Sequence, residues 1–214
     1  LAVARAMRDS MVHRGPDEQN VYHDEDVSLG SVRLKIIDLA SGQQPMTSSD
    51  GSTVIVYNGE VYNYVELRRE LEGLGYRFRT HSDTEVILNA FLAWDTESFK
   101  RLRGMFAIAF WQPAQRRLVV VRDRLGIKPL YLHQRGPDLY FASELKALFE
   151  HSEIDRHLSL GGLNYYLSLN YIPSPYTLID GIEKLPPGEW MEWRDGKTRR
   201  EAYWKLDFRP DAKW

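Results

Sequence analysis

The sequence predicts an α+β fold in which antiparallel strands are layered with helices. Segments with strand patterns and segments with helix patterns cluster along the chain instead of alternating. Apolar strands also follow one another through short turns, as when residues 106–110 run through residues 112–115 and return as residues 118–121. A chain of 214 residues with 43% hydrophobic content is long enough to bury one substantial core. One domain is therefore expected.

The strand predictions rest on short apolar runs, most of them bounded by Gly, Pro or Asp. The helix predictions rest on apolar residues spaced three or four positions apart, as in Leu67, Leu71 and Leu74. Strands are predicted at residues 27–37, 53–57, 76–79, 105–111, 118–122, 130–133 and 139–141. Helices are predicted at residues 1–12, 64–74, 84–94, 144–149 and 160–167.

The composition changes after residue 160, where tyrosine and proline become frequent. Such a mixture fits either a partner-binding surface or a rigid segment wrapped around the core, and we favour the wrap. The last residues, 209–214, are interpreted as the start of a linker.

The charge pattern argues against a polyanionic partner. The formal net charge is -2, and acidic and basic residues are mixed along the chain, so neither nucleic acid nor a membrane is expected as a partner. No apolar run approaches the ~20 residues of a membrane span. Arg5, Arg8 and Asp9 lie where a signal peptide would be apolar, which predicts a cytoplasmic protein.

No metal or nucleotide site is predicted in this chain. It contains no cysteine, which excludes disulfides and thiolate ligands, and its six histidines are scattered without a His-x-x-x-His pair. A Ser-Gly-Gly-x-Asp type of nucleotide-binding loop is also missing from the sequence, so no cofactor is expected to bind here.

Residues 56–63 read Val-Tyr-Asn-Gly-Glu-Val-Tyr-Asn and carry the first candidate site. If a strand runs into a glycine turn here, the Asn58 side chain and the Gly59 backbone present N–H groups to an oxyanion, and Glu60 holds an ammonium group. The alternative is an Asn-Gly hairpin that joins residues 54–57 to residues 61–62. The segment alone leaves both interpretations open.

Seven further blocks surround this segment in a fixed order. They are residues 11–17 (MVHRGPD), 33–39 (RLKIIDL), 42–46 (GQQPM), 82–88 (SDTEVIL), 104–111 (GMFAIAFW), 122–131 (RDRLGIKPLY) and 143–148 (SELKAL). Together these blocks resemble the glutaminase domain of glutamine-hydrolysing asparagine synthetase, a class II glutamine amidotransferase of the N-terminal-nucleophile hydrolase group. The resemblance covers nearly the whole chain.

The resemblance implies a four-layer sandwich of two stacked antiparallel sheets flanked by helices, with residues 1–208 forming a glutaminase domain that lacks its first strand. It also implies a glutamine pocket. In that pocket an arginine binds the α-carboxylate, an amide and a backbone N–H form the oxyanion hole, and two carboxylates face the ammonium group. The residues that match are Arg33, the backbone of Ile36 and Ile37, Asn58, Gly59, Glu60 and Asp83.

Several of these residues also have ordinary structural interpretations. Arg33 taken by its position alone is a solvent-facing strand arginine. Asp83 follows Ser82 and precedes Glu85, a pattern typical of a capping box at a helix start, and this role is compatible with ligand binding. No catalytic role is assigned to Arg14 or to the Arg122-Asp123-Arg124 turn.

The chain departs from the family in one important respect, because the family attacks glutamine with an N-terminal cysteine whose own α-amine lies close to its thiol. The sequence begins at Leu1 inside an amphipathic helix marked by Val3, Met7 and Met11. We therefore expect a truncated start and no glutaminase activity from these residues alone.

The resemblance also predicts partners. A C-terminal synthetase domain of the same chain would bind ATP and Mg²⁺ and use the ammonia to amidate a carboxylate, namely aspartate in a true asparagine synthetase. The resemblance also allows a homodimer. The alternative function is a non-catalytic scaffold, as in β-lactam synthetases, which keep the fold without glutaminase activity.

Overall fold

A computed structural model describes residues 1–34 and 42–207. Within these ranges the helices are α1 Ala2–Asp9, α2 Tyr64–Gly73, α3 Asp83–Trp94, α4 Ser98–Arg101, α5 Leu145–Leu148 and α6 Leu160–Leu169. The strands are β1 Glu18–His23, β2 Ser28–Arg33, β3 Met46–Thr47, β4 Val54–Val61, β5 Gly104–Gln112, β6 Arg117–Arg122, β7 Tyr131–Arg135, β8 Asp138–Ala142, β9 Ile182–Lys184, β10 Glu189–Arg194 and β11 Lys197–Ala202.

A six-stranded antiparallel sheet forms the centre of the molecule, in the order β11-β10-β6-β5-β4-β3. Successive side chains of a strand point to opposite faces. In β5, Phe106, Ile108 and Phe110 therefore enter one core, whereas Ala107 and Ala109 enter another. Both faces are buried, which explains why β5 and β6 have almost continuous apolar sequences.

The secondary elements stack in four layers. On one face of the central sheet, α2 and α3 cover a core that includes Leu71 and Phe91. On the other face lie Leu29 of β2 and Leu132 of β7. Helices α1 and α5 cover the far side of the small sheets, where Ala147 is fully buried. The predicted α+β sandwich is confirmed, and in the described residues its second sheet layer consists of two pieces, β1-β2 and β8-β7-β9.

Strand β4 contradicts both interpretations of the Asn-Gly segment. It neither turns nor forms a hairpin at that point, because Asn58, Gly59 and Glu60 pair in register with Ala107, Phe106 and Met105 of β5. Gly59 makes this path accessible with a φ of 155°. The long ladder with β5 therefore outweighs the local turn preference.

The predicted strand at residues 76–79 is also wrong. The backbone N–H groups of Arg79 and Thr80 donate to the Glu85 carboxylate at 2.7–3.1 Å, so this carboxylate takes the place of a neighbouring strand. Ser82 does cap α3, since its Oγ accepts the Thr84 N–H at 3.1 Å. Glu85 is turned towards residues 79 and 80, and the capping box is therefore only half formed.

The region beyond residue 160 was only partly understood from the sequence. Strands β9, β10 and β11 were not predicted, yet β10 pairs with β6 in the central sheet and buries Trp190 and Met191. This strand fits the wrap interpretation. Helix α6 does not, because the side chains of Leu160 and Leu167 are 77% and 72% exposed. Strands β1 and β3 and helix α4 were also missed.

The other helix predictions agree with the structure to within a few residues. The exception is the first, which ends at Asp9 and gives way to a 3-10 turn at Val12–Arg14. Ile36, Ile37 and residues 209–214 lie outside the described residues. Within the described ranges, no helix has both the length and the apolar character that a membrane crossing requires.

Candidate functional site

A cavity of about 350 Å³ opens between the central sheet and the small sheets. Its lining includes the predicted pocket residues that the structure describes, namely Arg33, Asn58, Gly59, Glu60 and Asp83. They come from β2, β4 and the start of α3, so the fold brings together groups that are far apart in sequence. Their roles in binding remain predictions.

The β4 wall of the cavity carries Asn58 and Glu60. Both alternate in step with Val54 and Val56, whose side chains enter the core between the sheets. The Asn58 Nδ2 donates to Ser143 Oγ at 3.5 Å, which ties the end of β8 to this wall. An amide donor and a carboxylate therefore face the same space.

The register of β4 directs the Gly59 N–H away from β5. Gly59 lies opposite Phe106, whose N–H donates to Asp123 Oδ2 and whose carbonyl accepts the Asp123 N–H. Phe106 thus uses its backbone groups on the β6 side, and the Gly59–Phe106 pair is a non-hydrogen-bonded one. The Gly59 N–H consequently points to the outer edge of β4.

The two backbone N–H groups that flank this position are directed to the same edge. Tyr57 N–H donates to Gln44 Oε1 at 2.6 Å, and Val61 N–H donates to Asp83 Oδ2 at 3.3 Å. The side chains of Gln44 and Asp83 therefore lie along the edge of β4 to which the Gly59 N–H points.

The carboxylates of Asp83 and Glu60 form an acidic wall. Asp83 is buried, and this burial raises its pKa; hydrogen bonds from Tyr57 and from backbone N–H groups oppose the shift, and the negative charge of Glu60 adds to it. Burial and the Asp83 charge raise the pKa of Tyr57 well above its usual value, so its hydroxyl stays a donor to Asp83 Oδ2 at 2.8 Å. Two neighbouring carboxylates favour a cationic group between them.

Arg33 is not a solvent-facing strand arginine. Its side chain is only 11% exposed, and its Nη1 donates to Glu18 Oε2 at 3.1 Å. Glu18 sits directly across from Arg33 in the β1–β2 ladder. This pair could not be anticipated from the sequence, because β1 itself was not predicted.

Other residues that line the cavity were not predicted to do so, although many of them lie in the sequence blocks that carry the resemblance. Arg14, Gln44 and Ser143 belong to the blocks at residues 11–17, 42–46 and 143–148. The position of these blocks was the only sequence feature that could have identified them.

A second cavity, of about 300 Å³, lies between α1, β2 and β8. Val3 and Met7 line one side of it, Gly30 another, and Tyr140 and Phe141 a third. Within the described residues β1 is the only strand that pairs with β2, and β7 is the only strand that pairs with β8, so the cavity separates two strand edges. No three His, Asp or Glu side chains of residues 1–34 and 42–207 form a metal-binding cluster.

Comparison with known proteins gives consistent matches. The glutamine amidotransferase domain family matches residues 2–204. The chain is 42% identical over 207 residues to asparagine synthetase [glutamine-hydrolyzing] 1 of Bacillus subtilis (strain 168), covering 96% of this chain and 33% of that protein. It is 40% identical over 149 residues to asparagine synthetase B [glutamine-hydrolyzing] of Escherichia coli (strain K12), covering 69% of this chain and 26% of that protein.

Among solved structures, the glutamine phosphoribosylpyrophosphate amidotransferase of B. subtilis, complexed with ADP and GMP, superposes with a TM-score of 0.64 at 21% identity. This match covers 96% of the present chain and 47% of that one. The chain thus spans about a third or less of the two asparagine synthetases and about half of the amidotransferase.

Proposed function

Because this chain belongs to the glutamine amidotransferase domain family and has the N-terminal-nucleophile hydrolase fold, we propose that it binds L-glutamine as the glutaminase part of a longer asparagine-synthetase-like enzyme. The observation that carries the proposal is the convergence of Arg33, Asn58, Gly59, Glu60 and Asp83 on one cavity.

The cavity suits each part of glutamine. The acidic wall of Glu60 and Asp83 complements the ammonium group, and the Arg33 guanidinium complements the carboxylate. The Asn58 Nδ2–H and the Gly59 N–H would donate to the side-chain carbonyl oxygen, on which negative charge develops as a nucleophile attacks. A donor of this kind contributes roughly 3 kcal/mol to related acyl transfers.

None of these 214 residues is a cysteine. The proposal therefore includes parts of the longer enzyme that lie beyond them. A preceding strand with an N-terminal cysteine would supply the nucleophile, and the cavity between the edges of β2 and β8 is a suitable place for it. A C-terminal synthetase domain would bind ATP and Mg²⁺ and pass the ammonia to aspartate. The cytoplasmic location and the homodimer stay predictions.

Glutamine binding by the chain itself tests the proposal. We expect Asp83→Asn to weaken L-glutamine binding by about tenfold or more, because the ammonium group loses a buried counter-charge. The melting temperature should stay the same or rise, since the folded state no longer buries that charge. Calorimetric titration and thermal unfolding measure the two effects.

A matched ligand and a matched variant complete this test. Glutaramic acid, which is glutamine without its α-amino group, should bind Asp83→Asn as well as it binds the unchanged protein. The exposed Asp155→Asn should bind glutamine normally. A chain that does not bind glutamine at all would support the scaffold alternative.

A further inference from the structure

We propose that Glu144 is a positioning residue that keeps the guanidinium of Arg14 away from the acidic wall of the cavity. This inference rests on the proposed glutamine site. It gives functions to two residues for which the sequence suggested none. It also explains how a cavity that is lined by Arg14 as well as by Glu60 and Asp83 could still accept an ammonium group.

Glu144 directly follows a run of residues that line the cavity. It joins the end of β8 to α5, and the adjacent Ser143 lines the cavity and accepts the hydrogen bond from Asn58. Its backbone is extended, with φ -140° and ψ 145°. The Glu144 carboxylate is therefore attached to one of the walls that define the site.

The Glu144 carboxylate is held by a cluster of three basic side chains. Its Oε1 accepts from Arg14 Nη1 at 2.8 Å and from His13 Nε2 at 3.0 Å, and its Oε2 lies 3.5 Å from Lys146 Nζ. Lys146 Nζ donates to His13 Nδ1 at 3.2 Å, which assigns the proton of the imidazole to Nε2. Burial opposes ionisation, but the hydrogen bonds from Arg14 and His13 outweigh it and lower the pKa of Glu144 to about 2.

The turn that carries Arg14 is also fixed from the other side. A Cβ added to Gly15 would lie 2.4 Å from the backbone nitrogen of Arg33, so the turn is pressed directly against β2. With the backbone fixed, the only freedom left to Arg14 is the direction of its side chain. The Glu144 carboxylate determines that direction.

Among the described lining residues, Glu60 and Asp83 carry the carboxylates that would attract the Arg14 guanidinium if Glu144 were absent. An arginine that turned towards them would occupy the place of the substrate ammonium group. Glu144 thus prevents the site from being closed by one of its own side chains.

A double-mutant cycle on the 214-residue chain tests this inference. We expect Glu144→Gln to weaken L-glutamine binding by about tenfold, because Arg14 then competes for the acidic wall. Arg14→Met alone should change binding by less than about threefold, and the double variant Arg14→Met/Glu144→Gln should recover the affinity of Arg14→Met. Calorimetric titration of all four proteins gives the four affinities.

Two controls separate this effect from misfolding. Glutaramic acid has no ammonium group, so its binding to Glu144→Gln should be unchanged if the cavity is intact. Glu150→Gln, an exposed change of the same charge six residues further on, should bind glutamine normally. A double variant as weak as Glu144→Gln, or a weak Arg14→Met, would overturn the inference. Failure of the unchanged protein to bind glutamine would instead overturn the proposed function.

Discussion

Replacement of Asp123 by alanine is expected to lower the free energy of unfolding by about 4 kcal/mol or more. The residue is fully buried, and its carboxylate accepts four backbone N–H groups at 2.9–3.1 Å, from Phe106, Leu125, Ile127 and Lys128. Alanine would leave all four donors without this acceptor, and the Phe106 N–H would stay buried in the core. Urea denaturation monitored by circular dichroism measures the loss in the free energy of unfolding.

Two asparagine variants calibrate this result. Asp123→Asn keeps one acceptor oxygen but turns an amide N–H₂ towards backbone donors, so we expect a loss smaller than that of alanine but still above about 1 kcal/mol. The exposed Asp155→Asn should leave the unfolding midpoint unchanged. If Asp123→Ala unfolded at the same urea concentration as the unchanged protein, the stability of the loop at residues 123–128 would not depend on the Asp123 carboxylate.

Replacement of Gly59 by alanine is expected to have the second large effect. At a φ of 155° the added Cβ would lie 2.1 Å from the Met105 carbonyl oxygen, so β4 and β5 would have to separate. We expect a loss of about 3 kcal/mol in stability, together with loss of glutamine binding as Asn58 and Glu60 move with the strand. Urea denaturation and calorimetric titration measure these effects.

Gly73→Ala is the matched control, because an added Cβ there meets no atom within 4 Å at the end of α2. It should be neutral or slightly stabilising, since alanine favours a helix more than glycine does. Equal stability of Gly59→Ala and Gly73→Ala would mean that β4 adjusts to a side chain at no cost.

The sequence predicted those helices and strands whose own residues show a clear apolar pattern. The apolar strands β5 and β6 and the periodic helices α2 and α3 are examples, because burial on a fixed face imposes a visible pattern. Strand β10 was missed although it forms a hairpin with β11 through Asp195-Gly196, a dipeptide typical of such turns. Its pairing with β6, more than 60 residues away in sequence, leaves no local trace.

The same distinction applies to the candidate site. The Asn58-Gly59-Glu60 segment was identified as important, but its conformation was wrong, because turn preferences describe a segment without its neighbours. The Arg33–Glu18 pair depends on a strand register that no periodicity reveals. Contacts of this kind depend on how the layers pack together in the folded protein.

The orientation of the Gly59 amide has a consequence for its proton. Most amide protons in a strand with neighbours on both sides exchange with solvent only when the sheet opens. The Gly59 proton points to the outer edge of β4 instead of β5, and Gly59 is one of the residues that line the cavity. In deuterated water the Gly59 amide proton should therefore exchange sooner than the amide protons of the adjacent core residues. Bound glutamine should slow this exchange. One amide resonance would then report occupancy of the pocket.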